Sequence, residues 1–158
     1  MTKEIAWVLL ATVSPISELR IGIPLGILKY GLDPWLTFFV AVAANALIFF
    51  PIFFVLHLLY DKVLFRIPLF DRYLENLRKR GKPKVDRYGL WGLFLFVAVP
   101  LPLTGAYTGT ILAWLLGMNW KRAFLAVSLG VLVAGGVMLL ITYLVKLGIL
   151  NIPWILPR

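Results

Sequence analysis

Two opposite charges, Glu18 and Arg20, lie one residue apart in Ser14-Pro15-Ile16-Ser17-Glu18-Leu19-Arg20, a polar interruption of an otherwise apolar N-terminal region. Residues two apart do not share a helical face, so the spacing predicts an irregular turn from which each side chain reaches a different partner. An arginine offers a fixed positive charge to an anionic head group or counterion, and a carboxylate in apolar surroundings can bind and release a proton. Charges at membrane depth cost roughly 2.5–3.5 kcal/mol each on insertion scales, so they suggest function by default. The plainer alternatives are a structural salt bridge, or Glu18 satisfying free backbone N–H groups.

A second stretch able to do chemistry is Val99-Pro100-Leu101-Pro102-Leu103-Thr104-Gly105-Ala106-Tyr107-Thr108-Gly109-Thr110. Proline removes a backbone donor and clashes with the preceding turn, and glycine loosens the backbone. In hydrocarbon each freed N–H and C=O must find an internal partner or a wet cavity, so a broken helix there points to a pathway or a binding site. Pro100, Pro102, Thr104, Gly105, Thr108 and Gly109 are the candidate binding residues of this break. The competing reading is a proline-kinked helix whose threonines bond back to their own carbonyls. Pro24 and Asn45 complete the candidate set. Asn45, in the middle of a long apolar run, reads first as an interhelical hydrogen-bond partner and second as a ligand.

The remaining chemistry is sparse. The chain has no cysteine, one histidine and seven acids in 158 residues. That excludes disulfides and thiolate chemistry, leaves no metal-ligand cluster, implies no cofactor, and argues against an enzyme for want of a nucleophile–base set. Hydrophobic residues make up 61 % of the sequence, far above the usual share for soluble proteins. An integral membrane protein is the expected class, and the +9 net charge is better explained by the positive-inside rule than by nucleic acid. The N-terminus shows no signal-peptide pattern.

The elements follow from the same pattern. Ile5–Val13 is a short apolar piece, roughly 14 Å as helix, too short for a core of about 30 Å. Ile21–Tyr30 is another short piece, containing Pro24. Asp33 reads as an N-cap with Pro34 at the first helical position, and Trp35–Tyr60 is long enough to span. Residues 61–88 carry nine basic and four acidic side chains. Pro68 starts a helix there with Ile67, Phe70, Leu74 and Leu77 on one face and Gly81 as its expected stop. It is expected to lie on the cytoplasmic membrane surface.

The second half repeats this order: Gly89–Val99, the proline break, Tyr107–Gly117, a turn at Met118–Arg122, and a span from Ala123 to Leu147. A shift of 85 residues superimposes Pro15 on Pro100, Trp35 on Trp120, Phe39 on Phe124, Ala41 on Ala126 and Val42 on Val127. The fold class expected is therefore an all-α integral membrane protein of two inverted repeats. Each is a re-entrant helical hairpin followed by one transmembrane helix, and a basic amphipathic cytoplasmic segment joins them. Within a single membrane domain over 1–158, repeat 1 covers 5–60, the linker 61–88, repeat 2 89–147 and a tail 148–158. Re-entrant hairpins put Lys121 and Arg122 on the side of the basic linker, whereas full spans would put them on the other, so the charge bias favours hairpins. Paired discontinuous helices at a repeat interface are how many transporters build a midplane site.

Glu18-Leu19-Arg20 with Ile23-Pro24-Leu25-Gly26, Asn45 and Pro100–Gly109 closely resemble the bacterial and archaeal family called "putative small multi-drug export protein", over about residues 10 to 140. Leu103 and Tyr107 stand where that family commonly has Gly and Trp. The family looks like a distant branch of the DedA/VTT superfamily, and that resemblance implies facing re-entrant hairpins, proton-dependent membrane physiology and translocation of lipids such as polyprenyl phosphates. Residues and resemblance together predict a small transporter or lipid translocase in the cytoplasmic membrane of a prokaryote. Its expected partners are membrane lipids, anionic or polyprenyl phosphate lipids among them, and further copies of itself. In that reading Arg20 binds an anionic group and Glu18 is the gating or proton-coupled acid. The alternatives are a membrane scaffold acting through 61–88 and, after the family's name, a small multidrug exporter.

Overall fold

The computed structural model describes residues 2–15, 17–62, 68–100 and 104–150, with side chains at 61, 68–71, 73, 74, 77 and 80–86 set aside. Pro102 and the 151–158 end of the tail lie outside the described residues, as does the apolar face expected of the linker helix. Every regular element described is helical: α1 (Thr2–Val13), α2 (Glu18–Pro24) continuing as a π-helical turn (Leu25–Lys29), α3 (Pro34–Leu47), α4 (Phe49–Lys62), α5 (Pro68–Ala98), α6 (Ala106–Leu115) and α7 (Trp120–Lys146).

The chain packs as two units. One is formed by 1–47 with 131–158, the other by 48–130. Each therefore contains one helical hairpin and one half of each long apolar helix.

In the first unit α1 and α2 form a hairpin that packs on α3. Gly22 lets α2 approach α1 at Thr12, and a Cβ at Gly26 would stand 2.5 Å from Thr37 Cγ2 and 3.0 Å from Val8 Cγ2. Only a hydrogen fits. The Thr12 and Thr37 hydroxyls donate back to the Val8 and Asp33 carbonyls at 2.7 and 2.9 Å, which removes them as buried donors. The π-helical turn follows Pro24, which has no N–H to give the Arg20 carbonyl; the Tyr30 N–H donates to Leu25 O five residues back at 3.2 Å. Gly31 turns the chain at φ 63°, and Asp33 Oδ1 accepts the Leu36 N–H at 2.8 Å, the N-cap expected of it. On α7, Gly135 admits Val42, whose Cγ2 would be 2.8 Å from a Cβ there.

In the second unit α6 packs against α5 and α4. Gly109 sits on Val97, whose Cγ2 would be 2.5 Å from an added Cβ, and Gly130 of α7 sits on Val97 and the Phe94 carbonyl. An aromatic cluster of Phe49, Phe50, Phe53 and Phe124 fills the space between α4 and the start of α7, with Phe49 and Phe124 centroids 5.5 Å apart.

One expectation is corrected. Gly81 does not end a helix: the backbone stays helical for 31 residues from Pro68 to Ala98, so the apolar piece expected from Gly89 is the end of a longer element. A glycine stop is a preference of about 1 kcal/mol. Here α5 is held to α6 on both sides of Gly81, by Arg78 and by Val97. The run from Trp35 to Tyr60 is long enough to span, as expected, and is helical apart from a turn at Ile48. Pro51 explains the turn, because it cannot donate to the Leu47 carbonyl.

Pro34–Tyr60 and Trp120–Lys146 are each 27 residues long and apolar, with only 28 % and 39 % of their most apolar windows buried. The core helix of a soluble protein would be mostly buried. These expose Trp35, Phe39, Phe54, Leu58, Leu125 and Leu140 instead.

Candidate functional site

The first unit holds Glu18, Arg20, Pro24 and Asn45. Glu18 opens α2 with φ 48°, the single non-glycine residue of positive φ among those described. Its side chain is 7 % exposed. An L-residue in this region costs roughly 1–3 kcal/mol, and such strain clusters at functional sites. The Glu18 N–H donates to the Ser14 carbonyl at 3.0 Å and the Ser17 hydroxyl to the Ala11 carbonyl at 2.5 Å, so the tip is wound tightly by its own polar groups. Arg20, two positions on in the same helix, is partly buried. The chain turns irregularly before Glu18, whose own φ is left-handed, while Arg20 follows within helix α2.

Asn45 is 0 % exposed, and neither its Oδ1 nor its Nδ2 has a hydrogen-bond partner among the described residues. A buried amide left open costs about 1–3 kcal/mol, so the interhelical bond expected first is replaced by an open donor and acceptor. The short Gly31 turn makes α2 and α3 antiparallel, with Gly26 against Thr37. Glu18 lies eight residues before Gly26 and Asn45 eight residues after Thr37. At similar rise per residue both are at one level of the unit.

The second unit holds Pro100, Thr104, Gly105, Thr108 and Gly109. Thr104 Oγ1 donates to the Val99 carbonyl at 2.6 Å, tying the end of α5 across the break. Thr108 Oγ1 accepts the Gly105 N–H at 3.1 Å and so caps α6. Thr110 donates to the Ala106 carbonyl at 2.5 Å. These hydroxyls hold the break in shape, as the kinked-helix reading expects, while Gly109 is occupied by close packing. Gly105 is buried with φ 171°, plain extended backbone.

Sequence reasoning missed one residue. Arg78, counted among the solvated charges of the basic stretch, donates from Nε to Leu115 O at 3.4 Å and from a terminal nitrogen to Trp114 O at 3.3 Å. Its guanidinium lies 5.5 Å from the Tyr60 ring centroid and 5.4 Å from that of Trp114. It closes the carboxyl end of α6, where free carbonyls attract a cation. His57 and Tyr60 flank the same tryptophan at 6.2 and 5.9 Å, and the Trp114 Nε1 is buried without a hydrogen-bond partner among the described residues. The tilt of basic residues toward the stretch had hidden Arg78. Lys79, by contrast, is exposed and pairs with Glu75 at 2.8 Å on its own helix.

A family model described as "putative small multi-drug export protein" matches residues 18–137. The chain belongs to this family. No curated protein and no solved structure matches it. The matched span starts at Glu18, the strained tip residue, and takes in every candidate residue of both breaks together with Asn45. Membership and the two long exposed apolar helices agree on a membrane protein with a transporter-type role.

Proposed function

We propose that the protein is a small membrane transporter that moves an anionic lipid or amphiphile past two re-entrant helical hairpins. Arg20 holds the anionic group and Glu18 is the acid that gates or carries a proton. The observation that carries this reading is Glu18: a buried carboxylate, at φ 48°, two residues from a partly buried guanidinium. A residue kept in that conformation for stability alone would be better as glycine or asparagine. The open amide of Asn45 at the same level adds a neutral donor and acceptor for cargo.

Several observations support re-entrant hairpins. One arm of each hairpin is too short for a core of about 30 Å, α1 having 12 residues and α6 having 10. Residues 87–91 of one arm and 117–119 with Arg122 after the other line one cleft, which supports a hairpin that leaves on the side it entered. Under the 85-residue shift, Val8 and Thr12 fall on Leu93 and Val97; all four are buried, and each pair meets a glycine of the opposite arm. That correspondence supports an inverted repeat. The same reading has residues 61–88 on the cytoplasmic side of a prokaryotic plasma membrane, no enzymatic activity, and self-association of protomers too small to enclose a pathway alone. Export of a small amphiphilic drug is the second reading, favoured by the family description.

The test is flipping of head-group-labelled phosphatidylglycerol in proteoliposomes, with and without a pH gradient. Flipping should require Arg20 and lose its pH dependence in Glu18→Gln. No flipping above empty liposomes by folded protein refutes lipid translocation. If Arg20→Ala fails to fold, the charge pair is structural.

A further inference from the structure

The cleft at the mouth of the second hairpin has a volume of about 380 Å³ and is lined in part by Arg87, Tyr88, Trp91, Met118, Asn119 and Arg122. Its lining includes two arginines and no carboxylate among the described residues. Both arginines are exposed, and the Arg87 guanidinium lies over the Tyr88 ring, 5.1 Å from its centroid. The planar fork of a guanidinium matches phosphate oxygens in a way that an ammonium does not.

The start of α7 forms the opposite wall. Asn119 Oδ1 accepts the Lys121 N–H at 3.0 Å, so the capping position is filled. The first turn then carries Lys121 and Arg122 and no acid. This runs against the helix dipole, whose positive end favours anions. Arg122, at the amino end of a 27-residue helix, shares the cleft with Arg87, and two like charges there repel one another unless an anion lies between them.

We infer that this cleft binds the phosphate of an anionic membrane lipid, with Arg87 and Arg122 as the two forks. The aromatic residues decide for a lipid over a free anion: Tyr88, Trp91 and Trp120 are 56 %, 65 % and 41 % exposed around the opening. Exposed tyrosine and tryptophan at the end of an apolar helix belong at the head-group level of a bilayer. The site is separate from Glu18 and Arg20, and needs only that the protein sits in a membrane.

The experiment measures melting of the full-length protein in neutral detergent micelles doped with phosphatidylglycerol, phosphatidylcholine or matched inorganic phosphate. Phosphatidylglycerol should raise the melting temperature with a saturable dependence, and the other two should not. Arg87→Gln/Arg122→Gln should weaken the apparent affinity at least tenfold, while Lys62→Gln/Lys79→Gln, which removes two exposed charges elsewhere, should leave it within twofold. The double variant should melt with wild type in phosphatidylcholine; if it melts early, Arg122→Gln alone carries the comparison, with at least a threefold loss expected. Equal loss in both double variants, no loss in the arginine variant, or the same rise with inorganic phosphate would each overturn the inference. Binding is read here without transport, so its failure leaves the transport reading standing, and the converse.

Discussion

Replacing Glu18 separately by alanine and by glycine isolates the backbone of the tip. Both variants lose the carboxylate and all its interactions, so the difference between them reads φ alone. At φ 48° an alanine is disfavoured by roughly 1–2 kcal/mol. Glycine escapes that cost but gives up about 0.5–1 kcal/mol through its freer unfolded chain. The glycine variant should therefore be the more stable by about 0.5–1 kcal/mol. In an ordinary first turn of helix the order reverses, with alanine ahead by a similar margin. For a chain of this length about 3 °C of melting temperature corresponds to 1 kcal/mol. Tryptophan-fluorescence melts in detergent should thus find Glu18→Gly roughly 2–3 °C above Glu18→Ala, with both inactive in transport. Alanine melting above glycine would refute the strained tip, and with it the main support for Glu18 as a functional acid.

Three further outcomes are expected. Asn45→Leu replaces an amide with no partner among the described residues by an apolar group of similar size, so it should raise stability by about 1–2 kcal/mol while reducing transport; a drop in melting temperature would show that the amide is satisfied. Arg78→Ala should cost about 1–3 kcal/mol by losing two charged hydrogen bonds and its stacking on Tyr60 and Trp114, and Arg78→Lys should recover only part of this in the same melts. Gly109→Ala should cost about 1–3 kcal/mol by driving a methyl into Val97. Val97→Ala in the same chain should restore part of it, and strict additivity in that cycle would mean that the two arms do not touch there.

Much of the fold is legible in local signals. Asp33 and Pro34 announce the start of α3, Pro68 that of α5, and the two proline breaks divide the chain into the hairpins observed. These are short-range effects, settled within a turn or two of helix. What escapes is settled at long range. Arg78 reaches carbonyls more than thirty positions along the chain, and nothing around it distinguishes it from its basic neighbours Lys79 and Arg80. Helix α5 runs through Gly81 because of contacts on either side, which override a weak local preference. In the candidate site, residue types gave away Glu18, Arg20 and Asn45 as costly in an apolar chain. The left-handed backbone of Glu18 and the open amide of Asn45 are properties of packing, and no spacing rule predicts them.

The division of the chain has a consequence for biogenesis. Residues 48–130 form a unit from one unbroken stretch, whereas 1–47 must join 131–158. The hairpin within 1–47 thus emerges from the ribosome before the 48–130 unit and is completed after it. At ordinary elongation rates it waits on the order of ten seconds for its remaining helix, holding Gly22 and Gly26 against α1 but lacking the Gly135 contact on Val42. In that interval the buried faces of α3 are open to insertion factors and to neighbouring chains. Truncation before Val131 should accordingly leave the first hairpin more vulnerable to quality-control proteases than the second.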